Sequence, residues 1–254
     1  AISHIYYADR LNQLPLAIFG IAMGIVLLPS LSKAVKQNDQ KEIHATQNRS
    51  LEFCLLISIP SAVGLYILSK PIIYILFERG AFLSSDTLYT AKVLSMFALG
   101  LPAYILIKVL VTCFFAREDT KIPLYVSIVS IVINIILSLV LIQSMRESGI
   151  ALATAISAWV NALLLFVILK TRDNITLDSR FINHGVKSII CSIIMGVACY
   201  YLNLILFSHM NTHSTANNVA ALIVAIVACN IVYMTMIFML KVLTIDDLKG
   251  YINN

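Results

Sequence analysis

About seven long apolar runs follow one another along this chain, each close to the roughly 20 residues a helix needs to cross a bilayer core. Hydrocarbon offers no water to a bare N–H or C=O, so a spanning segment must pair its own backbone, as a helix or in a closed barrel. Barrel strands alternate inward and outward residues over about 10 positions. The runs here are continuous, as in SIVSIVINIILSLVLIQ at 127–143. An all-α polytopic transmembrane helix bundle is therefore expected. Composition agrees: 59% of residues are hydrophobic and 12% charged, with a mean hydropathy of +0.89, whereas soluble domains carry about 25% charged residues.

The runs place spans at 5–31, 50–69, 87–115, 123–143, 149–170, 185–207 and 217–241. Two connections are long. Residues 32–49 are polar and suit a surface helix, and residues 171–184 read as a polar loop. No stretch fits a soluble domain. One alternating set of connections holds Lys33, Lys36, Lys41, Arg49, Arg117, Lys121, Lys170, Arg172, Arg180, Lys187, Lys241 and Lys249. The opposite set holds Lys70, Arg79 and Arg146, and its connection near His209 and His213 has neither Lys nor Arg. The positive-inside rule then puts residue 1 outside and residue 254 in the cytoplasm, which requires an odd number of spans. The net charge of +5 is assigned to orientation in this way, not to nucleic acid. The chain starts at Ala1, almost directly on a polar helix start, with no Met and no leader, so a fragment or a truncated gene product is expected.

Pro15, Pro29, Pro60 and Pro102 fall inside spans, where they serve either as transport bends or as static packing kinks. Gly20 and Gly24 form a GxxxG that permits close helix approach. The five cysteines all lie in apolar runs without a CxxC pair and read as small buried hydrophobes.

Polar groups inside apolar runs carry the functional signal. Arg10 follows Asp9 in YYADRL. A guanidinium does not shed its proton and is costly at membrane depth, so it must face protein, water or the interface. Adjacent residues point about 100° apart on a helix, so Asp9 and Arg10 are not natural partners. Arg10 either projects into a polar cavity and binds an anion such as pyrophosphate, with Asp9 tuning the field, or anchors the interface together with Tyr6 and Tyr7. Lys108 lies deep in AYILIKVLVTCFF and faces a cavity or snorkels; Lys92 suits snorkelling. Asn134 and Ser138 share one helix face, and Thr154, Ser157 and Asn161 fall near one stripe of the next span. Such oxygens either bind a hard cation such as Na⁺ or form interhelical hydrogen bonds. FFAREDTKIP, at 114–123, places Arg117, Asp119 and Lys121 ahead of Pro123. It reads as a gating salt-bridge element or as an ordinary charged turn, with Pro123 suited to the first turn of the next helix. No Walker motif, HExxH or GxSxG occurs, and the histidines are not clustered with carboxylates, so no enzyme is expected. Trp159 reads as a packing residue.

YYADRLNQLPLAIFGIAMGIVLLPSLSK, PSAVGLYILSKPIIYILFERGAF, FFAREDTKIP and SGIALATAISAWVNALLLF, in that order, resemble the lipid II flippase family MurJ (MviN) of the multidrug/oligosaccharidyl-lipid/polysaccharide exporter superfamily. The resemblance covers roughly residues 1–170. It implies two helical lobes around a cationic cavity plus two extra C-terminal helices, with this chain beginning at the family's eighth span. Residues 1–171 would then form part of the C-terminal lobe, and 172–254 the extra pair. The family's cavity arginine falls on Arg10, with Asp9 before it. A nearby acidic position of the family is Gln13 here, and the carboxylate of a sodium site that includes Asn134 and Thr154 is Ser138.

The resemblance implies movement of undecaprenyl-pyrophosphoryl-muropeptide (lipid II) across a bacterial inner membrane by alternating access. The candidate substrate-binding residues are Arg10, Asp9 and Lys108. Arg117, Asp119 and Lys121 are the candidate gate, and Asn134, Ser138 and Thr154 the candidate ion site. No cofactor or resident metal is expected; Na⁺, H⁺ or the membrane potential would drive the cycle. The expected partners are lipid II, membrane lipids and the missing N-terminal lobe. Export of another polyprenyl-linked oligosaccharide or a drug is the alternative cargo, a non-transporting scaffold is the alternative class, and a lipid-modifying enzyme comes last.

Overall fold

Helix forms wherever the apolar runs lie, because there the backbone has only itself to pair with. The computed structural model describes residues 2–22, 27–207 and 215–242. Gly24, His209, His213, Lys249 and the C-terminus, on which parts of the sequence reading fall, lie outside them. The helices are α1 (Ile2–Ala22), α2 (Leu28–Lys36), α3 (Gln40–Phe77), α4 (Ser84–Phe115), α5 (Lys121–Met145), α6 (Glu147–Thr171), α7 (Ser179–Phe207) and α8 (Thr215–Met239). No strand occurs among the described residues. Helices α3 to α8 are long and apolar enough to cross a membrane by length and composition; α1 is not among them. Its 21 residues include His4, Asp9, Arg10, Asn12 and Gln13.

Two boundaries differ from the sequence reading. The span expected at 5–31 is described as α1 up to Ala22 and a separate α2 from Leu28. The polar stretch 32–49 is not one surface helix. It breaks at Asn38, whose φ of 54° is left-handed. Asp39 then caps the next helix by accepting from the Glu42 N–H at 3.1 Å. From Gln40 onward no glycine intervenes before the apolar run, so the polar segment and the span merge into one 38-residue helix.

That helix survives two internal prolines because neighbours satisfy the carbonyls they leave open. Pro60 cannot donate to the Leu56 carbonyl; the Tyr233 hydroxyl of α8 does so instead, at 2.5 Å, and Ser188 of α7 lies 3.1 Å from that hydroxyl. Pro71 leaves the Ile67 carbonyl open, and Asn203 Nδ2 of α7 donates to it at 3.4 Å. In α4, the turn broken by Pro102 receives Trp159 Nε1 at the Leu99 carbonyl, 3.0 Å away. Trp159, read as packing, is thus also a donor.

Helix α4 is central and packs against α1, α3 and α6; α5 leans on α6, α7 on α3, and α8 on α7 and α3. Helices α5 and α6 join through Arg146 alone, at φ 52°. That hairpin needs Gly149, where a Cβ would stand 2.5 Å from the Leu141 carbonyl oxygen.

The two sets of connections separate to opposite ends. At the lysine- and arginine-rich end, Asn48 reaches Thr176 and Asp178, Arg117 reaches Asn174, and Lys187 Nζ donates to the Leu240 carbonyl. At the other end the starts of α1, α4 and α6 meet around His4.

Replacing Tyr233 by Phe keeps the ring but strands the Leu56 carbonyl. The expected cost is about 1–3 kcal/mol, the penalty for a buried unpaired polar group, read as a lower thermal midpoint in detergent. Tyr200→Phe, at a side chain 53% exposed, should stay within about 0.5 kcal/mol of the parent. Equal losses at both positions would remove the capping role.

Candidate functional site

Helix α1 has two faces. His4, Ile5, Ala8, Asn12 and Leu16 are buried or half-buried, with Ala8 and Asn12 fully so. Ser3, Tyr6, Arg10, Gln13, Leu14 and Ala17 are exposed. These positions recur at helical spacing, so they form one stripe. Arg10 stands at its centre. Its Nη2 donates to the Tyr6 hydroxyl at 3.0 Å, and its Cζ lies 4.9 Å from the Tyr6 ring centroid. Tyr6 therefore orients the guanidinium and leaves most of its five donors open. Among the described residues Arg10 has no carboxylate partner. Asp9, half-buried on the flank, accepts from the Gln13 amide instead, as the adjacency argument requires. Gln13, at the position that resembled an acidic one, is a donor to the carboxylate that precedes Arg10.

Five residues further along α1, about 7.5 Å of helix rise, Pro15 forms part of an apolar groove. The groove has a volume of about 440 Å³. Helix α3 supplies Leu56, Pro60, Gly64 and Leu68, and α7 and α8 supply Met195, Ile226, Tyr233 and Ile237. The groove is where it is because Pro60 and Tyr233, the proline and its cap, both belong to its wall. A fixed cation and an apolar furrow thus lie along one helix. This arrangement suits a ligand with an anionic head and a long hydrocarbon tail. Lys108 is exposed on α4, and no contact joins it to Arg10, so the structure does not gather the expected substrate-binding residues into one cluster.

The AREDTKIP turn is a tie rather than a free loop. Arg117 donates to the Cys113 carbonyl of its own helix and to the Asn174 carbonyl at 3.1 Å. Burial lowers the Arg117 pKa from the usual guanidinium range. Asp119 pairs with Arg172 at 3.1 Å and caps α5 at the Ile122 N–H. Lys121 is exposed and takes no part. Sequence reading missed the partner side of this tie: Asn48 of α3 donates to the Thr176 carbonyl at 2.7 Å and accepts from the Asp178 N–H. Nothing local marks Asn48, because its partners lie 128 and 130 residues away.

The candidate ion-site residues are brought together and hydrogen-bonded to one another. Asn134 Nδ2 donates to Thr154 Oγ1 and to Ser157 Oγ, both at 3.2 Å, and Ser138 donates to Asn134 Oδ1 at 3.0 Å. A cleft beside them is also lined by Tyr104 and Asn161, whose hydroxyl and Oδ1 are buried without a partner. The group contains no carboxylate. Among the described residues, no cluster of three or more His, Cys, Asp or Glu could hold a metal ion.

Apolar helices of this length, packed with one that carries an exposed cation and helps line an apolar groove, define a polytopic membrane protein of the all-α class. The family model described as Lipid II flippase MurJ matches residues 1–221. A probable lipid II flippase MurJ of Rhizobium tropici is 43% identical over 203 residues, covering 80% of this chain and 38% of that protein. One from Buchnera aphidicola subsp. Acyrthosiphon pisum is 33% identical over 254 residues, covering 100% and 49%. A solved structure titled Lipid II flippase MurJ, inward closed conformation, superposes with a TM-score of 0.75 at 30% identity, over 94% of this chain and 48% of that one. The chain belongs to the MurJ lipid II flippase family and is a multi-pass inner-membrane protein. It spans about two fifths to one half of the length of these relatives.

Arg117→Ala removes both carbonyl contacts and is expected to speed backbone amide exchange in residues 173–178 by roughly tenfold, the effect of losing about 1.4 kcal/mol of local stability. Lys121→Ala should leave that exchange unchanged. Equal protection in both variants would mean that Arg117 does not hold the connection.

Proposed function

We propose that this chain supplies the C-terminal part of a lipid II flippase, which moves undecaprenyl-pyrophosphoryl-muropeptide from the inner to the outer leaflet of a bacterial inner membrane. The observation that carries the reading is the exposed Arg10–Tyr6 face of α1, on the same helix whose Pro15 helps line the apolar groove. Arg10 binds the pyrophosphate, for which a guanidinium fork is well shaped. The groove formed by α3, α7 and α8 takes the polyprenyl tail. The muropeptide travels through a wet path between this lobe, residues 1–171, and a first lobe supplied outside this chain. Residues 172–254 form the additional helix pair.

The lysine- and arginine-rich end faces the cytoplasm, and the His4 end faces the periplasm, in keeping with the positive-inside rule. Arg10 is the substrate-binding residue, and Asp9 and Lys108 shape the field around it. The Arg117–Asp119 tie keeps the additional pair attached while the lobes rock. The membrane potential biases the cycle through the cationic path, at about 2.3 kcal/mol per charge per 100 mV. With Asn134 donating to Thr154 and Ser157 and accepting from Ser138, this group serves as a helix clasp in the reading, and the potential or a proton drives the cycle.

In cells depleted of their own flippase, the intact protein containing this chain is expected to restore growth. Arg10→Ala should abolish rescue, and Arg10→Lys should retain little of it. Normal rescue by Arg10→Ala would refute the anion-binding role. The lipid-linked precursor that accumulates during depletion identifies the cargo, and an intermediate of another glycan would replace lipid II in this reading.

A further inference from the structure

Helices α3 and α7 each carry an arginine at the lysine- and arginine-rich end of the bundle, and one carboxylate brings the two together. Arg49 Nη1 lies 3.7 Å from Glu52 Oε2, and Arg180 Nε lies 3.9 Å from the same oxygen. The other oxygen of Glu52 is engaged by the His184 ring of α7. Glu52 is buried, whereas the two arginine side chains are 45% and 40% exposed. One buried carboxylate, held from behind by His184, thus sets two guanidinium groups side by side at the surface. Both approaches exceed hydrogen-bond length, so they are electrostatic, and a single negative charge faces two positive ones.

This pair stands at one end of the apolar groove. Arg49 and Phe53 are four residues apart and share a face of α3. Phe53 is the first α3 residue of the groove wall, which continues through Pro60 and Gly64 to Ile72. From Phe53 to Ile72 the helix rises about 28 Å, close to the roughly 30 Å of a bilayer's hydrocarbon core. On α7, Arg180, His184, Ser188 and Met195 recur at helical spacing, and Met195 lies in the groove wall. Both helices therefore lead from an exposed cation into the same furrow. A phospholipid chain reaches across only about half the core. A tail longer than one leaflet, joined to a head with more than one negative charge, matches both parts.

We propose that Arg49 and Arg180 form a docking site for the pyrophosphate of a polyprenyl-linked lipid, with the tail laid in the groove, before the head reaches Arg10. The identity of the occupant rests on the flippase reading. A pyrophosphate has two linked phosphoryl groups, so each guanidinium can meet one of them. Helix α1 runs from the His4 end toward the lysine- and arginine-rich end, so Arg10 lies on the far side of Pro15 from this pair. A head entering from the lysine- and arginine-rich end meets Arg49 and Arg180 first. The tail in the groove then keeps the lipid attached while the head moves on. Glu52 and His184 act as positioning residues, because they fix how the start of α7 presents Arg180 beside Arg49.

Equilibrium binding to the intact protein containing this chain, in nanodiscs, tests the site with undecaprenyl pyrophosphate and undecaprenol as probes. The parent and Arg10→Ala are measured side by side, which separates this site from Arg10. In both backgrounds, Arg49→Gln with Arg180→Gln is expected to weaken undecaprenyl pyrophosphate at least about tenfold, the scale of losing charge-assisted hydrogen bonds. Undecaprenol, with the same tail and no phosphate, should bind as before. Unchanged pyrophosphate binding, or an equal loss for undecaprenol, overturns the site. Cardiolipin, a bilayer lipid with two phosphates, should compete weakly; binding as tight and as dependent on the two arginines would overturn the assigned occupant. Vesicles of the double variant should need more lipid II for half-maximal translocation. Arginine-dependent binding in a parent that moves no lipid II would leave the docking site standing and overturn the flippase reading instead.

Discussion

A proline inside a membrane helix strands a carbonyl, and lipid has no donor to offer it. That constraint organises the larger part of this bundle. Helix α3 passes straight through Pro60 and Pro71 because Tyr233 and Asn203 donate to the Leu56 and Ile67 carbonyls. The same bonds decide where α7 and α8 can dock. An apolar helix pair has no hydrophobic reason to prefer one lipid-facing surface over another, since lipid tails are as apolar as its side chains. A directional donor meeting a stranded acceptor supplies the preference. The groove follows from the same event, with Leu56, Pro60 and Tyr233 all in its wall.

Much of this architecture is legible in the sequence, for a definite reason. Spans and their alternation come from continuous apolar runs and from the placement of Lys and Arg, both properties of neighbouring residues. Arg10 is legible because a permanent charge in such a run has few physical resolutions. What local reading lacks is long-range pairing. Tyr233 and Leu56 are 177 residues apart, and Asn203 and Ile67 are 136 apart. His4 looked isolated because its carboxylates arrive from α4 and α6. The merger of residues 40–49 into α3 was missed because polarity, which marks the end of a span, does not mark the end of a helix; only a cap or a breaker does, and Asn38–Asp39 supply it earlier.

The polar groups in the apolar zone divide by whether the chain answers them. The Asn134 amide finds Thr154 and Ser157, and its carbonyl finds Ser138. That set closes on itself and serves to hold α5 to α6, which α5 needs because it packs on little else. Trp159 is answered by Leu99 in the same way. These hydrogen bonds are the role the structure gives the group, a clasp between two helices.

Helix α1 is the exception. Arg10 is oriented by Tyr6 alone among the described residues. Among the described residues no side chain donates to the Leu11 carbonyl that Pro15 leaves free, although α3 shows that this chain caps such carbonyls when it buries them. A carbonyl and a guanidinium left unanswered among the described residues of one helix call for a polar supply from beyond those residues: water, an anionic ligand or another protein segment. The buried side of α1 packs on α4, with Ala8 in a cluster that includes Ala91 and Leu94 and with His4 beside Asp86 at its start. Its exposed side is a surface where the energetics favour an incoming polar group over lipid. On the proposed flippase reading, this stripe is where cargo and a first lobe meet the helix that carries the cation.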